Sequence, residues 1–430
     1  IFNGVFLDGV TPQSWSEIKI FLIHKKGDRG LPANYRSIAL INNIAKIFTS
    51  ILANRITGWA EDRGVLSECQ NGFRRGRGCI DSLFILSSLI DDRLAVKGGR
   101  LFTFFVDFKN AFDRVSHGAL WRKLLTLGIS GKIIRVLQSF YEGAFARILV
   151  GETWTQKVPI RNGVLQGDSL SPLLFALFLN DFDDFCRSRG IMGVDVFDGF
   201  VINGIFFADD LVLVASSPVR LRGLIGVLEE YCRSNSLTVN KEKSKIMIFR
   251  RGGRCAANWK FTFEDYALEM VNEFDYLGVR FSSSGDFKRA CVNALSKSSL
   301  ASFKVRKVLE TVGTVTENSR KVLYDAYTKS TILYGSEVWG LQQEDTLERG
   351  QTDFFKQLFF LQRSTPGYVI RQEFGLAKLV LEVVRRAVSW FSKVNSMSKS
   401  RLPRLCLDRQ LSLLDRRRDG QSWAQKLRGW

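Results

Sequence analysis

The run "GIFFADDLVLV", residues 204 to 214, sets Asp209 and Asp210 side by side in an otherwise apolar stretch. Two like charges repel there, and partial burial raises the cost of ionising both, so the pair calls for a counter-charge. Asp, with its short stem, is a usual ligand of Mg²⁺, a cation that keeps part of its water shell and takes further oxygens from substrate phosphates. Taken alone the pair also reads as a solvated turn, because Asp hydrogen-bonds locally in turns. A third acid shifts the balance. Asp107 ends the apolar run "LFTFFV", and if the two runs lie side by side in one antiparallel sheet it comes opposite Asp209 and Asp210. Three carboxylates on rigid elements suit two metal ions about 4 Å apart that activate an attacking hydroxyl and clamp a phosphoryl group.

Strands must hold these acids. "IFF" and "LVLVAS" flank Ala208, Asp209 and Asp210 and predict a β-hairpin with the acids at its tip. Upstream, residues 1 to 100 alternate a strand ("IKIFLI") with a helical pattern ("LINNIAKIFTSILANRI") and a flexible basic loop, "GFRRGRG", that leads into a helix. Its glycines would let Arg74, Arg75 and Arg77 reach nucleic-acid phosphates without reading sequence. After Asp107 come an amphipathic helical stretch to about residue 142, a strand "ARILVG", and "VLQGDSLSPLLFALFLNDF". In the last, Asp168 and Ser169 offer N-cap chemistry and Pro172 suits a first helical turn. Beyond the hairpin follow a helix ("RLRGLIGVLEEYCRSN"), a strand ending near "KIMIF" and a short strand around "FDYLGVRF". Helical periodicity dominates from about residue 288, and a boundary is expected near residue 285.

The 430 residues exceed the usual limit of one hydrophobic core. With 45% hydrophobic and 24% charged residues the chain packs a core and is not disordered. Lys and Arg outnumber Asp and Glu by 62 to 43, giving +19 and a pI near 9.7, the footprint of a polyphosphate partner. No apolar run approaches a membrane span of about 20 residues. Cys69, Cys79, Cys186, Cys232, Cys255, Cys291 and Cys406 are scattered singly and only His24 and His117 accompany them, so free thiols are expected rather than a zinc site or disulfide framework. No signal peptide opens the sequence, which begins on Ile1 in mid-pattern and so reads as part of a longer protein.

"VDFKNAFD", "GVLQGDSLSPLLFALFLNDF", "FFADDLVLV", "LTVNKEKSKIMIF" and "FDYLGVRF" occur in an order and at spacings that resemble the palm motifs of reverse transcriptases, those of non-LTR, LINE-type and jockey-like retrotransposons in particular. "FLIHKKGDRGLPANYRSIALINNIAKIFTSILANRI" and "SECQNGFRRGRGCIDSLFIL" look like fingers motifs of that family, and "ILYGSEVWGL" resembles a segment downstream of its thumb. The resemblance implies an α+β right-hand polymerase: fingers over residues 1–100, a ferredoxin-like antiparallel palm over 101–285, and a helical basic thumb with a C-terminal extension over 286–430. It implies that Asp107, Asp209, Asp210 and the backbone carbonyl of Phe108 hold two Mg²⁺ ions, with Mn²⁺ as the alternative. Lys243 would protonate the leaving pyrophosphate. Lys25, whose neighbour Lys26 is a rival, and Arg36 would hold the triphosphate. Phe112 would be the aromatic gate that collides with a ribose 2′-hydroxyl, and Gln166 and Gly167 would contact template and nucleotide. Tyr276, Leu277 and Gly278 would belong to a primer-grip hairpin.

The implied partners are template RNA, primer DNA and dNTPs, in nucleus and cytoplasm and not in secretion, with no membrane. Endonuclease and zinc-knuckle segments would lie elsewhere in a full-length protein. Ser37 stands where the family commonly has Pro, and Phe207 where Tyr is more common. Two other readings share the carboxylates: a telomerase, intron-maturase or RNA-polymerase relative, and a catalytically silent nucleic-acid-binding remnant.

Overall fold

The computed structural model describes residues 1–252, 259–313, 316–414 and 422–430; Cys255 lies outside them. A central antiparallel sheet carries the acids. Its strands are β3 (Arg100–Val106), β9 (Gly204–Phe207), β10 (Asp210–Ala215), β11 (Lys245–Arg250) and β14 (Met270–Val271), in the order β14-β11-β3-β10-β9. β3 is buried along nearly its whole length, with Phe104 and Leu101 wholly inaccessible, which is why it reads as a continuous apolar run rather than an alternating one. Among the described strands of this sheet only β11 and β14 pair in parallel.

A second sheet forms from β1 (Glu17–His24), β2 (Tyr35–Leu40), β4 (Phe145–Val150), β5 (Thr153–Trp154) and β6 (Val158–Pro159). β1 pairs with β2 antiparallel and with β4 parallel. The strand "ARILVG" therefore joins the sheet built by the first forty residues and not the sheet of Asp107. Parallel partners need a long crossover and leave no local sequence signal. The smaller hairpins are β7 (Val194–Phe197) with β8 (Phe200–Ile202), β12 (Thr262–Phe263) with β13 (Tyr266–Ala267), and β15 (Glu273–Tyr276) with β16 (Val279–Ser282). What reads in sequence as one short strand, "FDYLGVRF", is thus two strands joined by Leu277 and Gly278, both at positive φ, as a tight two-residue hairpin turn requires.

Helices cover these sheets. α1 (Phe2–Asp8) packs on α2 (Asn43–Asp62), where Phe48 meets Phe2 and Phe6; the Asn42 side chain accepts from the Ile44 and Ala45 N–H groups and so caps α2. α3 (Cys79–Leu94) is buried almost all round, from Asp81 to Ile90, as expected of a helix inside a core. α4 (His117–Thr126), α5 (Gly131–Tyr141), α6 (Ser171–Phe178), α7 (Phe182–Ser188) and α8 (Pro218–Asn235) complete the central part. α6 starts at Ser171 with Leu170 at its cap. Asp168 lies just outside the helix, where its carboxylate accepts from the Thr49 hydroxyl and the Leu170 N–H. Ser169 meets the Ser50 hydroxyl, so neither residue caps the helix in the manner the sequence suggests.

From Lys288 the described residues are helical: α9 (Lys288–Val312), α10 (Glu317–Leu323), α11 (Ser330–Ile332), α12 (Ser336–Trp339), α13 (Glu344–Leu358), α14 (Gly367–Glu373), α15 (Leu379–Asn395), α16 (Leu402–Ser412) and α17 (Trp423–Arg428). The last of them fold back on α3. Gln410 on α16 donates to Ser88 at 2.8 Å, Arg401 bonds Asp81 at 3.0 Å, and the Trp423 ring meets Phe84 edge-on at 5.0 Å. Among the described residues no helix is long and apolar enough to cross a membrane, and the six described cysteines are unpaired.

Candidate active site

β3 and β10 run antiparallel with Val106 opposite Leu211. One further step in that register sets Asp107 opposite Asp210. β10 pairs with β9 through Asp210 and Phe207, so Ala208 and Asp209 form the two-residue turn and Asp210 opens the strand. On the other side of β3 the Asp107 N–H donates to the Ser244 hydroxyl at 3.0 Å and the Asp107 carbonyl accepts from Asn240 at 2.7 Å. This pairing brings Lys243 next to Asp107, with its ammonium 3.9 Å from the carboxylate.

Burial pushes the Asp210 carboxyl up to about 6, and the neighbouring Asp209 and Asp107 charges add to it. Asp209 is also raised, chiefly by burial and further by Asp107, while Arg36 and Lys25 act in the opposite sense. The three acids therefore sit in one another's field. Among the described residues no group of three His, Cys, Asp or Glu side chains closes into a set that would hold a metal ion unaided. The three acids nonetheless fit a hard divalent cation by donor chemistry: oxygen ligands only, like charges that repel, and only partial compensation from Lys243 at 3.9 Å and from Arg36 and Lys25.

Two cavities meet at Asp107 and Lys243. One, about 660 Å³, is lined by Lys25, Arg36, Phe112, Gln166 and Asp209, among others, and also by Phe108. Lys25 lines it and its rival Lys26 does not. The other, about 360 Å³, runs from Asp107 and Asp210 to Phe274, Tyr276, Leu277 and Gly278. The β15–β16 hairpin is held there by Phe274 stacked on Phe105 at 4.3 Å. Its tip is gripped from the helical part, where Tyr334 donates to the Leu277 carbonyl and Lys297 to that of Gly278, at 3.0 and 2.9 Å.

Phe112 stacks on the buried Phe175 of α6 at 4.6 Å and 18°. Gly167 has φ +127, and a Cβ there would lie 2.5 Å from the Ala39 carbonyl oxygen. Its immediate reason for being glycine is therefore β2, whose Ala39 N–H also bonds the Gln166 carbonyl at 2.7 Å.

Arg74 and Arg77 do not reach outward. Arg74 is 6% exposed and forks onto Glu61 at 2.7 and 2.6 Å, and Arg77 pairs with Glu68. Burying a guanidinium demands such a partner, so these arginines pin the loop, which is anchored rather than free; Arg75 alone of the three is exposed.

The anchored loop supplies residues that motif reading passes over. Cys69 and Asn71 exchange backbone hydrogen bonds with Phe206, extending the sheet beyond β9. The buried Gln70 amide accepts from the Ala208 N–H at 3.2 Å and donates to the Ala208 carbonyl at 3.5 Å. Gly72 presses so close that a Cβ would lie 2.2 Å from the Ala208 nitrogen. Together they hold Ala208 at φ +58, a left-handed conformation uncommon for alanine, and so fix the turn that carries Asp209. The one available signal was the position of Gln70 and Gly72 inside "SECQNGF".

Residues 23–281 match the family model described as reverse transcriptase (RNA-dependent DNA polymerase). The chain is 31% identical over 298 residues to a retrovirus-related Pol polyprotein from type-1 retrotransposable element R2 of Popillia japonica, covering 67% of this chain and 40% of that protein. It is 26% identical over 369 residues to a probable RNA-directed DNA polymerase from transposon BS of Drosophila melanogaster, covering 82% and 39% respectively. A telomerase from Candida tropicalis, solved with a TWJ fragment of telomeric RNA, aligns with a TM-score of 0.46 at 13% identity, over 98% of this chain and 64% of that one. The chain spans about two fifths of the length of the curated relatives it matches.

Proposed function

The chain belongs to the reverse transcriptase (RNA-dependent DNA polymerase) family, and from that premise we propose that it is the RNA-directed DNA polymerase of a non-LTR retrotransposon, extending a primer 3′-hydroxyl with dNTPs to copy the element's RNA into cDNA. The observation that carries the reading is the β3–β10 register, one step beyond which Asp107 faces Asp210, together with the cleft that Asp107 and Asp209 share with Lys25 and Arg36. In this reading residues 1–100, joined by β4 to β6, act as fingers, 101–285 as palm, and 286–430 as thumb and extension.

The triphosphate is gripped by Lys25 as a point charge and by Arg36, whose planar fork matches phosphate oxygens. The sugar faces Phe112, which Phe175 backs, and Gln166 and Gly167 line the nascent base pair. The β15–β16 hairpin holds the primer terminus for in-line attack. The 3′-hydroxyl gives up its proton to solvent water and its oxygen bonds to the α-phosphorus as the bond to the bridging oxygen breaks, and Lys243 gives a proton to the departing pyrophosphate. Asp107, Asp209, Asp210 and the Phe108 carbonyl would hold two Mg²⁺ ions, with Mn²⁺ as the alternative, and the ions when bound supply the positive charge that activates the hydroxyl and stabilises the transferring phosphoryl group. Arg75 is the loop arginine left to contact a template phosphate.

The test is primer extension on an RNA template in Mg²⁺. Extension with dNTPs is expected, lost in Asp209→Ala. A preference for rNTPs, or tight primer–template binding without metal-dependent extension, would overturn the reading in favour of an RNA polymerase relative or a silent binding remnant.

A further inference from the structure

Phe73 follows Gly72 in the anchored loop and is 54% exposed, at φ +58. A bulky aromatic rarely adopts that backbone conformation, and such strain persists only where the surroundings enforce it. Here they do so from both sides. Gly72 is jammed against Ala208 and donates to Gln70 at 2.8 Å, while Arg74 is tied to Glu61 and to the Ser67 carbonyl. The chain thus leaves an apolar ring exposed beside Phe112 instead of burying it in the core. The ring arrives edge-on to Phe112, with centroids 6.3 Å apart and planes at 90°.

We propose that Phe73 is a positioning residue for the sugar gate, confining the Phe112 ring so that discrimination against ribonucleotides depends on it. This rests on the assignment of Phe112 as the gate in the reverse-transcriptase reading. A gate excludes a 2′-hydroxyl only if the ring cannot yield to it. Phe175 backs one face of Phe112 by stacking, but a stacked ring still slides or swings in its own plane. Phe73 is the second ring at Phe112, at right angles to it, on a segment that the Glu61 and Gln70 contacts hold in place. Edge-to-face aromatic pairs favour this arrangement.

The experiment is single-nucleotide extension by the full chain on an RNA template, with matched dNTP and rNTP, for wild type, Phe73→Ala, Phe73→Leu, Phe73→Tyr, Phe112→Ala and the Phe73→Ala/Phe112→Ala double variant. The expected result is a fall of about tenfold in the dNTP to rNTP ratio of kcat/KM for Phe73→Ala, the scale of one aromatic contact, arising mainly from faster rNTP incorporation. Phe73→Leu should fall between and Phe73→Tyr should restore selectivity. In the Phe112→Ala background the second substitution should add nothing, because the ring it confines is gone. An unchanged ratio overturns the proposal. So does an equal loss with both nucleotides, the outcome expected if Phe73 instead stacks on a template base, and so does an additive effect in the double variant. If wild type itself extends with neither nucleotide, the polymerase reading fails first, a result distinguishable from failure of the Phe73 proposal alone.

Discussion

At the scale of single residues, Asp210 is held among like charges with its carboxyl raised to about 6. Asp210→Asn keeps the shape and removes the charge. It should therefore reduce primer extension by roughly a thousandfold, since metal-assisted phosphoryl transfer gains several kcal/mol from the site. The same change should leave the metal-free thermal midpoint unchanged or higher, because it relieves repulsion; calorimetry in chelator checks this. A carboxyl whose folded value is raised holds its proton more tightly when folded, so its stabilising share is present at low pH and is lost as pH rises through about 6. In chelator the thermal midpoint should fall as pH rises from 4.5 to 7, and Mg²⁺ should recover more of it at pH 7 than at pH 5, where protons compete for the ligand. The acids themselves were legible because charge interrupts an apolar run. Gln70 was not, for an amide inside a basic, glycine-rich stretch carries no sign that tertiary contact will set it under Ala208.

At the scale of elements, the loop that ends in α3 acts as a splint for the β9–β10 turn. Gly72→Ala would place a methyl 2.2 Å from the Ala208 nitrogen, and backbone must move to admit it. Loss of stability by about 1–3 kcal/mol is expected, read by denaturant titration. A larger proportional loss of extension should accompany it, since the displaced turn bears Asp209. The β9–β10 hairpin could be read from sequence, as could most of the helices, because apolar runs and turn residues are local signals. The second sheet could not, since β1 meets β4 across more than a hundred residues. Nor could the fate of Arg74 and Arg77, for a basic loop reads alike whether its charges face phosphate or are neutralised by Glu61 and Glu68.

At the scale of the molecule, a net charge of +19 predicts that primer–template affinity falls linearly in logarithm with salt, with a slope of about −0.9 per phosphate neutralised. Fluorescence anisotropy across a salt series measures it, and Arg75→Ala should reduce the slope by about one. The family match ends at residue 281, but the folded unit does not. Trp423 packs on Phe84 and donates to the Glu337 carbonyl at 2.7 Å, so Trp423→Ala should cost about 3–5 kcal/mol of stability although it lines neither cavity at the acids. A denaturation midpoint equal to that of wild type would show that the C-terminal helices are dispensable to the core.

α3 is enclosed on one side by the central sheet and on the other by α15, α16 and α17. On a ribosome adding roughly 5–20 residues per second, that helix emerges early and then waits tens of seconds for its cover. Through that interval only β3, β9, β11 and α12 of its neighbours are available to cover it. Messages cut short upstream of α16 would therefore yield products that aggregate, however complete their polymerase motifs.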